Sequence, residues 1–174
     1  TKDGPVYTFA AQIPQLQGSD DPRVTAFNAR LNELVKNEVD KFRTDILTNQ
    51  PVIPFALGSA FDMKYTLIGQ RGEVWSIKFD VYYNYDGSAH PGSYFVTLNY
   101  DLAQGRELTL DDLFLHGVNH MQTISDYCKA QLLTREVGFE IPNTGADPTP
   151  ENYRSWNLSA EGLIITFDAY QVAA

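Results

Sequence analysis

The stretch EVWSIKFDVYYNYDGSAHPGSYFVTLNYDL, residues 73–102, decides the fold. Trp75, Ile77, Phe79, Val81, Tyr83 and Tyr85 alternate with Ser76, Lys78, Asp80, Tyr82 and Asn84. After Asp86-Gly87-Ser88-Ala89-His90-Pro91-Gly92 the alternation resumes, with Tyr94, Val96, Leu98, Tyr100 and Leu102 set against Phe95, Thr97 and Asn99. A strict period of two sends successive side chains to opposite faces of a strand. The Gly, Pro and Asp between the two runs are turn formers. The segment therefore predicts an antiparallel hairpin with one buried face. Its connection, residues 86–92, is where a specific function is expected.

Upstream of the hairpin, Phe61, Met63, Tyr65 and Leu67 alternate with Asp62, Lys64 and Thr66 and reach the turn Gly69–Gly72, so a third strand joins a meander. Asn49–Ser59, with Pro51, Pro54 and Gly58, reads as a connector. Before it, Asp21-Pro22 supplies a capping carboxylate and a proline at the first helical position. Val24, Phe27, Leu31, Leu34, Val35, Val39, Phe42 and Ile46 then recur at helical spacing, an amphipathic helix of about seven turns. Val6–Leu16 reads as extended until Pro14 interrupts it.

Downstream, Ala103–Arg106 is a turn and Thr109–Asp112 has the spacing of a capping box. A second helix is expected from Val118 to Arg135, with Met121, Ile124, Cys128 and Leu132 as its apolar stripe. Residues 139–151 form a surface loop, and Pro150–Tyr153 a further helical turn. Ser155–Leu158 and Leu163–Tyr170 pair through Ser159–Gly162 as a C-terminal hairpin. The element order predicts α+β: an antiparallel β-meander with two main helices packed on the sheet and a C-terminal hairpin. Two lobes are expected within one compact unit: strand, helix and strand over residues 1–72, then meander, helix and hairpin over 73–174.

With 43% hydrophobic residues, ten Tyr and ten Phe, the chain can fill a core. A net charge of −9, with Lys and Arg scattered singly, argues against nucleic acid and against anionic membrane surfaces. One cysteine, Cys128, rules out a disulfide framework and a thiolate metal cluster, and it is expected to serve as a small core residue. No apolar run reaches membrane-spanning length. The chain starts at Thr1, so a removed upstream signal or anchor is expected.

Enzyme motifs are weak. His116 and His120 have the i, i+4 spacing of a zinc pair, but Gly117 stands where a metalloprotease carries glutamate, and the pair is expected to face solvent. Asp111 and Asp112 are adjacent and diverge, so capping explains them better than glycoside hydrolysis. Asp101 and Glu107 flank a turn and are expected to be solvated. Gly58-Ser59 and Gly92-Ser93 lack the later glycine of a nucleophile elbow. His90 suits proton transfer by its ordinary pKa, yet a loop-fixing role, through neighbouring backbone or the Asp101 carboxylate, is the better reading. The outer face of the meander carries Tyr82, Asn84, Phe95 and Asn99, aromatic and amide groups able to stack on sugars or anchor a protein.

The run from Tyr85 through Ala89-His90-Pro91, followed by Leu98-Asn99-Tyr100-Asp101-Leu102, Gly105 and Leu108–Phe114, resembles a bacterial domain family of unknown function, number 3298. Gly162-Leu163, Phe167, Tyr170 and Val172 resemble that family's closing motif. Ile13-Pro14-Gln15-Leu16 and the long helix bearing Asn28 resemble the domain numbered 4163 that precedes it. The resemblance implies an extracytoplasmic place: secreted, lipid-anchored or outside a single membrane helix. Members include the extracellular part of a lysozyme-recognising anti-sigma factor and a region preceding a peptidoglycan deacetylase. It implies no shared catalytic residue. Two departures stand out. The family's Gly-Gly-Ala-His reads Gly87-Ser88-Ala89-His90 here, and the family continues past the closing motif with a further turn and strand where this sequence ends at Ala174, so an early end of the ordered region is expected rather than an edge left open for a partner strand.

A non-catalytic binding or sensing domain of the bacterial cell envelope is thus expected, with Tyr82, Asn84, Tyr85, Asp86, His90, Phe95 and Asn99 as ligand contacts. Peptidoglycan fragments or a lysozyme-like protein are the expected partners; no cofactor and no metal are expected. The alternative is a cell-wall glycan hydrolase or deacetylase accessory module, using His90 with Asp86 or Asp101 as acid and base.

Overall fold

The structure is a computed structural model and describes residues 6–48, 58–135, 137–138 and 140–173. Its elements in chain order are β1 (Tyr7–Ala11), α1 (Pro22–Thr48), β2 (Ser59–Arg71), β3 (Val74–Asn84), β4 (Gly92–Asp101), β5 (Arg106–Glu107), α2 (His120–Leu133), β6 (Trp156–Leu158) and β7 (Leu163–Ile165). Strands β1 to β5 form one sheet in chain order, and β6 and β7 form a separate two-stranded sheet. The expected α+β class is observed. Most of the connector expected at Asn49–Ser59 lies outside the described residues.

The alternation read on β3 holds, but its second face is not wholly solvent-facing, since Ser76 is buried as well. Ile77, Phe79 and Val81 are buried beneath α1 together with Phe61, Met63, Leu98 and Tyr100. The apolar stripe of α1, from Val24 to Ile46, is buried at every position named from its spacing. Asp21 caps this helix, its Oδ1 accepting the Arg23 N–H at 2.8 Å. Asn28, nearly two turns into α1, holds the incoming chain: its amide accepts from Leu16 N and donates to Leu16 O, both at 2.9 Å. That clamp delivers β1 alongside β2 in parallel, whereas every other pairing in the sheet is antiparallel. Since β2 and β3 are hydrogen-bonded neighbours, the sheet and the α1 core draw on both sides of residue 72.

The opposite face of the sheet is covered over part of its length by β6, not by a helix. The register of β2 against β3 slips between Leu67 and Gly69, and a Cβ at Gly69 would sit 2.5 Å from Leu158 O. A bulge and a glycine together let the hairpin backbone lie directly on the sheet. A polar layer seals this contact. Ser76 Oγ donates to Asn99 Oδ1 at 2.6 Å and accepts from Asn157 Nδ2 and Leu158 N, both at 2.9 Å. Asn99 Nδ2 in turn donates to Trp156 O at 2.8 Å.

Helix α2 packs away from the main sheet. Leu132 meets Ala146, Phe167 and Val172, while Ser125 Oγ donates to Ala146 O at 2.6 Å. The closing segment also returns to β4: Asp168 Oδ1 accepts from Phe95 N at 2.9 Å, and Asp168 Oδ2 pairs with Arg154.

Two expectations need correction. His120 does not face solvent. Its side chain is only 13% exposed, stacked on Phe114 at 4.6 Å, because α2 begins at His120 and turns the ring back onto the preceding 3-10 turn. Asp101 is buried rather than solvated, since the Ala103–Arg106 turn folds over it: Oδ1 accepts from Gln104 N at 3.0 Å and Oδ2 from Gln104 Nε2 at 2.7 Å. Glu107 is tied to Arg30 of α1.

Candidate functional site

The β3–β4 hairpin ends in the 86–92 connection, and its two faces present different surfaces there. Alternation puts Tyr82 and Asn84 on the outer face, with Tyr83 and Tyr85 facing α1. Tyr82 is 48% exposed and lines a shallow groove of about 290 Å³ with Phe95, Asp62, Lys64, Asp80 and Ser93. Lys78 Nζ lies 4.8 Å from the Phe95 ring centroid, which leaves that ring half-buried under a cation. Asn84 Oδ1 accepts from Ser88 Oγ at 3.1 Å and so braces the connection.

Asn99, expected on the same surface, is not there. It sits at the far end of β4, only 4% exposed, in the polar layer under β6. Its amide holds the hairpin in place.

On the inner face, five aromatic rings follow one another from Phe61 through Phe42, Tyr85 and Tyr83 to Tyr94, with successive centroids 5.2, 5.7, 5.1 and 5.9 Å apart. They line a pocket of about 200 Å³ together with Lys41 and Asp45 of α1. Tyr85 donates its hydroxyl to Asp45 Oδ2 at 2.9 Å, and Tyr94 to Glu38 Oε2 at 2.5 Å. Burial, then the hydrogen bond to a carboxylate, pushes both phenols well above the ordinary tyrosine range. Lys41 Nζ stands 5.1 Å over the Tyr94 ring. Gly92 makes this arrangement possible: it pairs across the hairpin with Tyr83, whose ring occupies the space a Cβ would need.

The connection itself is held by its backbone. Asp86 N donates to Ser59 Oγ at 3.0 Å and Ser88 N to Tyr85 O at 3.0 Å, while Gly87 adopts φ +82°. Position 87 thus requires the left-handed region, and position 88 tolerates serine. Asp86 Oδ1 is buried. His90 is exposed, and its Nδ1 lies 3.1 Å from Pro91 O. Asp101 stands at the opposite end of β4, roughly 30 Å from the connection at about 3.3 Å per residue.

Of the ligand contacts expected from the sequence, Tyr85 lines this pocket, while Tyr83, Tyr94, Glu38, Lys41 and Asp45, also on its lining or rim, were not among them. A signal was present. Glu38, Lys41 and Asp45 stand at i, i+3 and i+7 on one helix face, flanking the buried Val39, Phe42 and Ile46.

Elsewhere, Asp112 closes the expected capping box on Thr109 and is bound by Arg106 at 2.9 Å, and these bonds hold its carboxyl well below the usual range. Cys128 lines an apolar groove of about 660 Å³ between α2 and β7, where burial raises its thiol above the ordinary value and so disfavours a nucleophilic thiolate. Among the described residues, no three His, Cys, Asp or Glu side chains are grouped to hold a metal, and no helix is long and apolar enough to cross a membrane.

Comparison with known proteins adds the following. Esterase Rv3036c of Mycobacterium tuberculosis is 32% identical over 84 residues, which is 47% of this chain and 36% of that protein. Peptidoglycan-N-acetylmuramic acid deacetylase PdaC of Bacillus subtilis is 21% identical over 175 aligned residues, 99% of this chain and 36% of that protein. The chain spans about a third of the length of each of these relatives. A DUF3298 family protein from Pseudomonas aeruginosa shares the fold, with TM-score 0.51 and 17% identity over 76% of this chain and 58% of that one. A second, from Bacteroides fragilis, gives TM-score 0.46 and 15% identity over 88% of this chain and 68% of that one. Residues 111–174, from the capped turn to the closing segment, match the family described as "Protein of unknown function (DUF3298)".

Proposed function

We propose that this chain is a non-catalytic, extracytoplasmic binding or sensing domain of the bacterial cell envelope, and that it engages its ligand at the 86–92 end of the β3–β4 hairpin. The observation that carries this reading is the convergence of Phe42, Tyr83, Tyr85 and Tyr94 with Asp45 and Lys41 beside the connection. Aromatic faces with polar rims are the usual means of holding sugars and protein anchors. Tyr82 and Phe95 extend the surface onto the other side of the hairpin, and His90 rims it.

The acid–base alternative is less well supported. His90 is exposed against Pro91 O, and Asp101 is committed to its own turn. His90 meets the Pro91 carbonyl, and His120 meets the Val118 carbonyl through Nδ1 and the Asp111 carboxylate through Nε2 at 2.8 Å, far from the connection; neither ring meets a serine hydroxyl among the described residues. The likeness to a peptidoglycan deacetylase supports an envelope setting, with glycan fragments or a glycan-directed protein as partner.

The test is a thermal-shift screen against peptidoglycan fragments and lysozyme, with His90→Ala, Tyr82→Ala and Tyr85→Leu alongside. Stabilisation by one of these ligands, weakened several-fold by the variants, is expected. No stabilisation by any ligand overturns the envelope-binding reading. Full binding in all three variants moves the site elsewhere.

A further inference from the structure

The tyrosine pocket carries more chemistry than a sugar platform needs. Its walls are the rings of Phe42, Phe61, Tyr83, Tyr85 and Tyr94, whose faces, though not their edges, carry negative potential. Its rim carries Asp45, with Glu38 next to it. Each uses one carboxylate oxygen to accept a tyrosine hydroxyl, and the other oxygen has no hydrogen bond among the described residues. Two carboxylates against the single ammonium of Lys41 leave one net negative charge at the rim. That ammonium already rests over the Tyr94 ring, on an exposed and flexible stem. The pocket thus holds a cation of its own where an incoming one would go.

Resting on the reading of this end as the binding site, we propose that the pocket is an aromatic cage for an ammonium group, which displaces Lys41 from the Tyr94 ring. A volume of about 200 Å³ admits a methylated ammonium or the amine end of a lysine-type side chain or amino sugar. The cage attracts a cation through ring faces and carboxylates at once, whereas a neutral group of the same shape gains only burial. The net charge of −9 steers cationic partners towards the chain as a whole.

The experiment follows the ring signals of Tyr83, Tyr85 and Tyr94 by NMR on the whole chain. The probes are choline and its neutral isostere 3,3-dimethylbutanol, Nα-acetyl-lysine amide, and glucosamine against N-acetylglucosamine. Choline is expected to shift the three rings and to bind at least five-fold more tightly than the isostere. The lysine and glucosamine arms then report which source of ammonium fits. Lys41→Ala, on the exposed side of α1, is expected to tighten choline binding by removing the competitor, and Asp45→Asn to weaken it.

Equal binding of choline and its isostere overturns the proposal. So does ring shifting by N-acetylglucosamine or a neutral glycan fragment with none by any ammonium, an outcome that leaves the binding reading intact. If no probe moves the rings while a peptidoglycan fragment or lysozyme still stabilises the protein, the cage is refuted and the ligand lies on the outer groove.

Discussion

Replacing Ser76 by alanine should cost far more than the loss of one hydroxyl suggests. Ser76 Oγ has one proton and two lone pairs, and all three are used: it donates to Asn99 and accepts from Asn157 and the Leu158 backbone. Asn157 Nδ2 keeps a second partner in Ile77 O at 3.1 Å. Asn99 Oδ1 and the Leu158 N–H would have none in the hydrogen-bond network of that layer. The site is dry, with Ser76 at 1% and Asn99 at 4% exposure. Stranding a buried polar group costs about 1–3 kcal/mol, so two of them cost about 2–6, centred near 3–4 kcal/mol. For a chain of this size each kcal/mol lowers Tm by about 2–4 °C, giving a fall of roughly 6–16 °C. Circular dichroism melts of wild type and Ser76→Ala measure that fall. Hydrogen exchange of the Leu158 amide shows whether the β6–β7 hairpin has loosened. A Tm within about 2 °C of wild type, with Leu158 protection unchanged, would refute the reasoning.

Three further outcomes are expected. Tyr85 and Tyr94 have raised folded-state pKa values, so their contribution to stability is complete below the ordinary tyrosine pKa of about 10 and is lost as pH rises above it. Denaturant midpoints should therefore fall more steeply above that pH in wild type than in Tyr85→Phe/Tyr94→Phe; equal slopes would show the two phenols unperturbed. Asp112 is shifted the other way, chiefly by Arg106, so its contribution is present above the ordinary carboxylate pKa of about 4 and disappears as pH falls below it. Asp112→Asn should flatten that part of the acid unfolding curve, and an unchanged curve would count against the cap. Gly69→Ala should lower stability by about 1–3 kcal/mol by pressing on Leu158 O, measured by guanidinium unfolding, whereas Gly72→Ala, with open space around its Cβ, should act only through its φ of +60°.

Strand and helix periodicity were readable because they are local. Every apolar position named on α1 is buried, and the β3 face assignment holds residue by residue. The Thr109–Asp112 cap was readable for the same reason: its partners are three residues apart. What escaped is what depends on distant segments. Asn99 looked like surface amide until β6, more than fifty residues later, came to lie on it. Tyr94 looked like core and Tyr85 like a ligand contact by the connection, and neither alternation nor spacing showed that Glu38 and Asp45 of α1 would meet their hydroxyls. His120 looked solvated because the helix start that folds its ring onto Phe114 is a boundary, and boundaries are the weakest part of any pattern reading.

The Asp168 contact has a bearing on how the protein behaves in company. Beyond its pairing with β5 and the Leu108 N–H on Asn99 O, the outer margin of β4 has, among the described residues, no neighbouring strand in the sheet. Asp168 occupies the Phe95 N–H, and Ser155 Oγ reaches Phe95 O at 3.4 Å. The closing segment thus acts as a stopper against self-templating, the hazard that every unpaired sheet margin carries. Asp168→Ala, which frees the Phe95 N–H while leaving β6 and its polar layer in place, is expected to show self-association by light scattering before it shows unfolding.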